Sequence, residues 1–196
     1  MSVTTRDTRQ TIVLAAADLF RKQGYAATTV QQVAEVTGIS KGNLTYHFPN
    51  KQALYEEVHH QVIDYVRARI LNRSFDEAPD ARQALVDFTR RLRRWYLDDA
   101  NQFVGCIFTN IAIETQHSDQ AIGRLAYSAL AEMREMLAQR FTEAQARGEI
   151  RTDRSAVDLA RAFFWGFEGA LALSRAMNDP TEYDAFCALA HEWLTP

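Results

Sequence analysis

Apolar residues recur at spacings of three and four along most of the chain, the period of amphipathic helices, with no strand-like alternation of useful length. Ile12, Ala15, Ala16, Leu19 and Phe20 form one stripe on a first helix from Arg9 to Gln23, and Gly24 follows as a stop signal. Thr29-Val-Gln-Gln reads as a capping box opening a short second helix through Val36. Gly38 sits in a tight connection, Ser40 is a natural N-cap, and a third short helix runs from Lys41 to His47. After the break at Phe48-Pro49-Asn50, an amphipathic fourth helix from Lys51 to about Arg73 carries Leu54, Val58, Val62, Tyr65 and Val66. Past Pro79 a fifth helix carries Leu85, Phe88, Leu92, Trp95 and Tyr96, and a sixth spans Phe103 to about Thr115. The seventh has the clearest period: Ser118 caps it, and Ile122, Leu125, Ala129, Met133, Leu137 and Phe141 hold the spacing to Gly148. Asp153 opens an eighth helix reaching Met177, and Asp179-Pro180 starts a ninth ending near Leu194. The expected fold is all-α, about nine helices. A three-helix head (residues 1–50) with a helix-turn-helix precedes a helical body (residues 51–196).

Composition narrows this little, but charge adds a direction. The 47% hydrophobic and 24% charged content is that of an ordinary globular protein. Residues 1–51 carry six basic side chains against three acidic ones, and the remainder carries 16 basic and 22 acidic. A mildly basic head on an acidic body suits a protein that presents one end to a polyanion. The polar opening Met1-Ser-Val-Thr-Thr-Arg-Asp lacks the apolar stretch of a signal peptide, and no apolar run approaches the roughly 18 residues of a membrane span. A cytoplasmic location and no membrane partner are expected. Cys106 and Cys187 are too few for a disulfide framework and lack zinc spacing.

Residues 29–48 carry the chemistry. Two short helices joined by Thr37-Gly38-Ile39-Ser40 describe a helix-turn-helix, whose second helix enters the DNA major groove. Ala34 is small where the helices cross, and Val33, Ile39 and Leu44 can turn inward against Leu19 and Phe20. The outward candidates for phosphate or base contacts are Thr28, Thr29, Ser40, Lys41, Asn43, Thr45, Tyr46 and His47. Lys51 joins them, because a cation at a helix start opposes the dipole unless a phosphate compensates.

The run from Thr29 to Leu54, TVQQVAEVTGISKGNLTYHFPNKQAL, resembles the DNA-binding segment of TetR-type regulators over about residues 9–58. Helix lengths, turn and the Tyr46-His47-Phe48-x-x-Lys51 run agree with that family together, while Thr45 stands where the family often has an aromatic residue. Ala146-Arg-Gly-Glu-Ile-Arg-Thr-Asp, leading into Asp158-Leu-Ala, is similar to the family's link between helices seven and eight. Gly105-Cys-Ile-Phe-Thr-Asn-Ile-Ala-Ile-Glu114 resembles a branch in which helix six starts with Gly-Cys, some of whose members respond to electrophiles or other toxic compounds. The resemblance implies a homodimeric, usually repressing regulator that leaves a double-stranded DNA operator when a small molecule enters its body.

In the body, Trp95, Tyr96, Phe103, Phe108, Tyr127, Phe163, Phe164, Trp165 and Phe167 are candidates to wall an apolar cavity, or plain core. Asn110, Glu114 and Glu168 could orient a ligand within it. Glu168 is costly to bury unpaired, so an arginine, the dimer seam or the pocket must take it. Cys106, near the start of helix six, is either a thiolate favoured by the helix dipole and open to electrophiles, or a small buried hydrophobe lining the pocket. In helices eight and nine, Gly166, Gly169 and Ala170 permit close approach while Leu173, Phe186, Leu189, Ala190 and Trp193 supply burial for a dimer. The adjacent His59 and His60 cannot share one helix face for a metal and read as surface or rim residues. No cofactor or metal is expected. The rival classes are an enzyme and a helical adaptor. Against the first stands the lack of a phosphate-binding loop, a dinucleotide glycine pattern, Gly-x-Ser-x-Gly or an obvious nucleophile–base pair.

Overall fold

The computed structural model describes residues 5–98, 100 and 102–194. Among these residues every regular element is helical: α1 (Thr5–Ala27), α2 (Val30–Thr37), α3 (Lys41–His47), α4, α5 (Ala81–Tyr96), α6 (Ile107–Thr115), α7 (Gln120–Ala146), α8 (Ala156–Met177) and α9 (Thr181–Leu194). The fourth helix is continuous but not uniform. Lys51–Tyr65 is α-helical, Val66–Asn72 is a π-helical stretch, and Arg73–Glu77 returns to α-helix. The expected all-α class with about nine helices is what the described residues form.

Several helix ends differ from the sequence expectation, each for a local reason. α6 begins at Ile107 rather than Phe103, because the preceding segment folds back on the end of α5. Val104 N donates to Tyr96 O (2.9 Å), Phe103 bridges to Leu97, and Gly105 then takes a left-handed φ of 73°. Cys106 therefore precedes the helix instead of sitting in its first turn. α7 is capped by Asp119, whose carboxylate accepts from Ile122 N, and not by Ser118. Ser155, accepting from Asp158 N, starts α8 in place of Asp153. Two C-termini close as Schellman motifs: Gly148 N and Glu149 N reach Gln145 O and Ala144 O, and Asn178 N and Asp179 N reach Arg175 O and Ser174 O.

The chain divides into two compact units, Met1–Ile63 with Ile107–Ala129, and Asp64–Cys106 with Leu130–Pro196. In the first, α1, α2 and α3 bury Ile12, Phe20, Val33, Ala34 and Leu44 beside Leu54, Tyr55 and Val58 of α4. Rings of Phe20, Tyr25 and Tyr55 meet at 5.4–5.7 Å between centroids. His59, expected near the surface, is buried. Its Nε2 lies 3.0 Å from Leu125 O and its ring packs on Phe108, because it falls on the inward face of α4 with Tyr55 and Val62.

The end of α1 is held by a clasp. Gly24 leaves helical geometry (φ 85°, ψ 178°), which exposes the next backbone groups. The Glu114 carboxylate of α6 accepts from Tyr25 N and Ala26 N, both at 2.8 Å. On the carbonyl side, Lys51 Nζ donates to Tyr25 O (2.8 Å) and lies 4.3 Å from the centre of the Tyr25 ring. Burial lowers the Lys51 pKa, and the charges of Glu114 and Asp119 oppose that. Thr28 completes the turn, donating its hydroxyl to Gly24 O at 2.7 Å. A bidentate pair, Arg9 to Glu57 at 2.7 Å on both oxygens, ties α1 to α4 a little further on.

In the second unit Phe163 is the centre of an aromatic cluster, with Phe88, Phe141, Phe167 and Phe186 at 5.3–6.3 Å. Gly166 belongs to this core: a Cβ there would lie 2.4 Å from the Phe186 ring, so its smallness serves packing of α8 on α9 within the chain. Tyr183 is fully buried and donates its hydroxyl to Thr89 O at 2.7 Å.

Two outcomes follow from the first unit. A Cβ on Gly24 would sit 2.6 Å from Glu114 Oε2 on top of the positive φ. Gly24→Ala should thus destabilise by more than the ~1 kcal/mol typical of Ala at a positive-φ site. Glu114→Ala should cost about 1–2 kcal/mol as a lost cap. In the double variant the steric part of the Gly24 cost disappears, so urea midpoints should show less than additive loss; strict additivity would disprove the contact. The second outcome concerns acid. The Arg9 guanidinium holds Glu57 down at about 2, so its contribution is present above the ordinary carboxylate range and is lost as pH falls from about 4.5 towards 2. Glu57→Gln should flatten the stability profile in that window, measured by denaturation at stepped pH.

Candidate DNA-binding face and ligand cavity

The helix-turn-helix is built by local bonds. Thr29 Oγ1 accepts from Gln32 N (3.1 Å) while Gln32 Oε1 accepts from Thr29 N (2.8 Å), a complete capping box. Gly38 ends α2 at φ 67°, and Ser40 Oγ accepts from Asn43 N to start α3. Leu44 is buried, and that single inward anchor leaves Ser40, Lys41, Asn43, Thr45 and Tyr46 outward on one short helix. Tyr46 is 79% exposed, a large ring with no packing role of its own beyond an edge contact to the half-buried His47. A side chain in that state is available for a phosphate or sugar. Lys41 has no carboxylate within ion-pair distance among the described residues.

Three of the expected DNA-facing residues have other work. Thr28 is wholly buried and its hydroxyl is committed to Gly24 O, so it is not an outward donor. Thr29 is exposed but its side chain caps α2. Lys51 opens α4 as expected, yet what compensates its charge is the pair of carbonyls at the end of α1, and no phosphate is needed. Glu114, expected beside a ligand, is the cap of Tyr25 and Ala26. The signal for that role was available only as Gly24 interrupting a helix; nothing in the sequence pointed to Glu114 as its partner.

The second unit holds an apolar cavity of about 20 Å³, walled by Val66 and Leu71 of the π-helical stretch, Phe88 and Leu92 of α5, Met133, Met136 and Leu137 of α7, and Phe163, Phe164 and Phe167 of α8. That is room for about one water, so the walls are nearly closed. Of the candidate wall residues Phe163, Phe164 and Phe167 lie here. Tyr96, Cys106 and Glu168 gather elsewhere in the unit. The buried Tyr96 hydroxyl bonds the Cys106 thiol; burial raises its pKa far above the usual value, and the charges of Cys106 and Glu168 add to the rise. Tyr96 packs on Phe167 at 5.8 Å, which links this polar trio to the cavity wall. Cys106 is buried, out of reach of bulky reagents, and Cys187 is a buried thiol pushed up to about 11 by burial.

The remaining candidates are dispersed. Trp95 stacks on Tyr65 at 4.6 Å and Phe103 packs on Tyr183 at 5.6 Å. Trp165 is 66% exposed on α8. Asn110 and Tyr127 belong to the first unit, Tyr127 on its surface. The cavity combines four phenylalanines with Leu, Val and Met, and the latter residue types carry no sequence signal that separates a cavity wall from ordinary core.

Residues 12–58 match the family of bacterial regulatory proteins, tetR family, and residues 75–190 match the tetracyclin repressor-like C-terminal domain. The HTH-type transcriptional regulator RutR of Escherichia coli (strain K12) is 41% identical over 82 residues, 42% of this chain and 38% of RutR, so well under half of that relative is spanned. The transcriptional regulator AcuR of Cereibacter sphaeroides is 27% identical over 181 residues, covering 90% of this chain and 80% of AcuR. Among solved structures, regulatory protein TetR from Rhodobacter sphaeroides superposes with a TM-score of 0.84 at 24% identity, covering 95% of this chain and 98% of that one. A TetR-family regulator from Agrobacterium tumefaciens does so with a TM-score of 0.87 at 19% identity, covering 98% and 100%. At such identities the superpositions establish the fold, and the sequence matches at both ends establish the rest. The chain belongs to the TetR family of DNA-binding transcriptional regulators, a family of regulators and not of enzymes.

Proposed function

We propose that this regulator is a cytoplasmic repressor that binds a two-fold operator as a homodimer and lets go when a small, largely apolar molecule opens its body cavity. The carrying observation is the nearly closed cavity lined by the π-helical part of α4. π-Helical stretches cluster at functional sites, and Met133 and Met136 supply walls that re-pack readily. A ligand larger than a water must push those walls apart, and Val66 and Leu71 would carry the displacement into the helix whose first residue, Lys51, clasps the head. Phe167, a wall of the cavity, also packs on Tyr96, so a ligand that displaces it reaches a buried hydroxyl, which favours an effector with one polar end. The burial of Cys106 disfavours direct reaction of its thiol with bulky electrophiles as the trigger.

A dimer is supported by an unusual apolar line on α8. Trp165, Leu173 and Met177 are 53–72% exposed, with the open Gly169 between them, and Leu189 of α9 is 65% exposed. Exposed apolar groups at a four-residue spacing mark an interaction face.

The DNA assignment is checked by two lysines. Lys41→Ala should weaken binding to all sequences and reduce the dependence of log K on log salt by about one phosphate contact. Lys51→Ala should lower stability and operator affinity while leaving that slope unchanged. Equal slope changes in both variants would return Lys51 to the phosphates.

The release mechanism is checked by screening apolar compounds for thermal stabilisation of the free protein, then following operator release by gel shift. Stabilising compounds should release the wild type and fail on Leu137→Trp, which fills the cavity. Release of both alike would remove the cavity from the mechanism. In sedimentation the wild type should run as a dimer at micromolar concentration and Gly169→Trp as a monomer; a monomeric wild type would contradict the assembly.

A further inference from the structure

Apart from the apolar cavity, the second unit has an open groove of about 570 Å³ between α4 and α5, walled by Tyr65, Arg69, Ile70, Arg73, Arg91, Arg94 and Trp95. Four guanidinium groups thus face one concavity in a body whose net charge is negative: residues 52–196 hold 16 basic against 22 acidic side chains. Among the described residues Glu77 is the single carboxylate paired with them, accepting from Arg73 Nε at 3.1 Å and from Arg91 at 3.4 Å. Arg69 and Arg94 have no carboxylate within ion-pair distance among the described residues. Arg91 Nε is buried without a hydrogen-bond acceptor. Buried donors of this kind are rare in native proteins, where protein groups or ordered water ordinarily satisfy them.

Like charges held together repel, and a groove that keeps an excess of about three positive charges gains most from a ligand of charge −2 or −3. Guanidinium forks match the oxygens of phosphate and carboxylate. One wall is different in kind: Trp95 stacks on Tyr65 with rings 4.6 Å apart and 24° from parallel, and Tyr65 is 45% exposed. An aromatic wall beside a cation cluster suits a molecule with a flat ring at one end and an anionic group at the other. The volume falls in the range of small-molecule sites.

We propose that the α4–α5 groove is a second small-molecule site, separate from the apolar cavity, which takes an organic phosphate of nucleotide size. Arg69, Arg73 and Arg94 hold the phosphate oxygens, the Arg91 guanidinium adds positive charge to the same wall, and the Tyr65–Trp95 pair carries the flat group. The proposal is independent of the repressor reading, because the groove shares no wall residue with the apolar cavity.

Inorganic pyrophosphate and adenosine diphosphate serve as probes, titrated calorimetrically into the whole protein at low salt. Saturable binding of both is expected, with the diphosphate nucleoside tighter. Arg69 and Arg94 are exposed and bear no core contact, so Arg69→Gln/Arg94→Gln should keep the wild-type melt without ligand and weaken both probes by about tenfold or more. Trp95→Leu should remove only the advantage of the nucleotide. Absence of saturable binding, or affinities unchanged in the double variant, would overturn the proposal. So would loss of affinity for a random DNA duplex in the double variant without any binding of pyrophosphate, which would make the groove a nucleic-acid contact. Operator binding of the ligand-free double variant, measured alongside, reads the repressor function separately.

Discussion

Three helices of the first unit meet at one short stretch of backbone, and the placement of the head rests on how that stretch is satisfied. Gly24 turns α1 out of its helix and leaves amide and carbonyl groups that must find partners. A carboxylate from α6 takes the amides and an ammonium from α4 takes the carbonyls. Thr28 then closes the turn on Gly24 O, and Thr29 immediately caps α2. An unbroken chain of bonds therefore runs from Glu114 to the first turn of the helix-turn-helix. Every link is a hydrogen bond to a backbone or polar side-chain atom, which makes the geometry directional in a way that packing alone would not be.

How much of this was legible beforehand depended on the distance over which each interaction acts. Caps and turns involve residues three or four apart, and Thr29, Gly38 and Ser40 do what their spacing implied. Helix periodicity was equally readable, so the class and the count of about nine helices came through. The clasp was not readable, because Glu114 lies 89 residues from Tyr25 and either charged side chain alone looks like a solvated surface residue. Lys51 is the clearest case: a cation at a helix start implies a compensating anion, and in the fold a pair of backbone carbonyls takes that place. The start of α6 failed for the same reason, since the loop before it is fixed by a bond back to Tyr96.

The body illustrates a different limit. Its aromatic residues do cluster around Phe163, and the free volume falls where four of the phenylalanines meet Leu, Val and Met side chains. Free volume is a property of how several surfaces fail to meet, and no single residue type announces it. Charge is easier to misjudge in the opposite way. The body is acidic on average, and the average conceals a local concentration of arginines on two adjacent helices. Averages over a chain say little about any one concavity.

The π-helical stretch of α4 has a consequence for the length of the chain itself. A π turn holds one more residue than an α turn, so Val66–Asn72 absorbs a residue that an uninterrupted helix would have no place for. Elsewhere in α4, adding or removing one position would rotate everything beyond it by about 100°, moving an inward face outward. Within these seven residues a single deletion can be taken up by tightening to α-helix, and the faces on either side keep their bearings. Relatives that differ by one residue in this helix therefore need no compensating change at either end of it, and an alignment gap is best placed there.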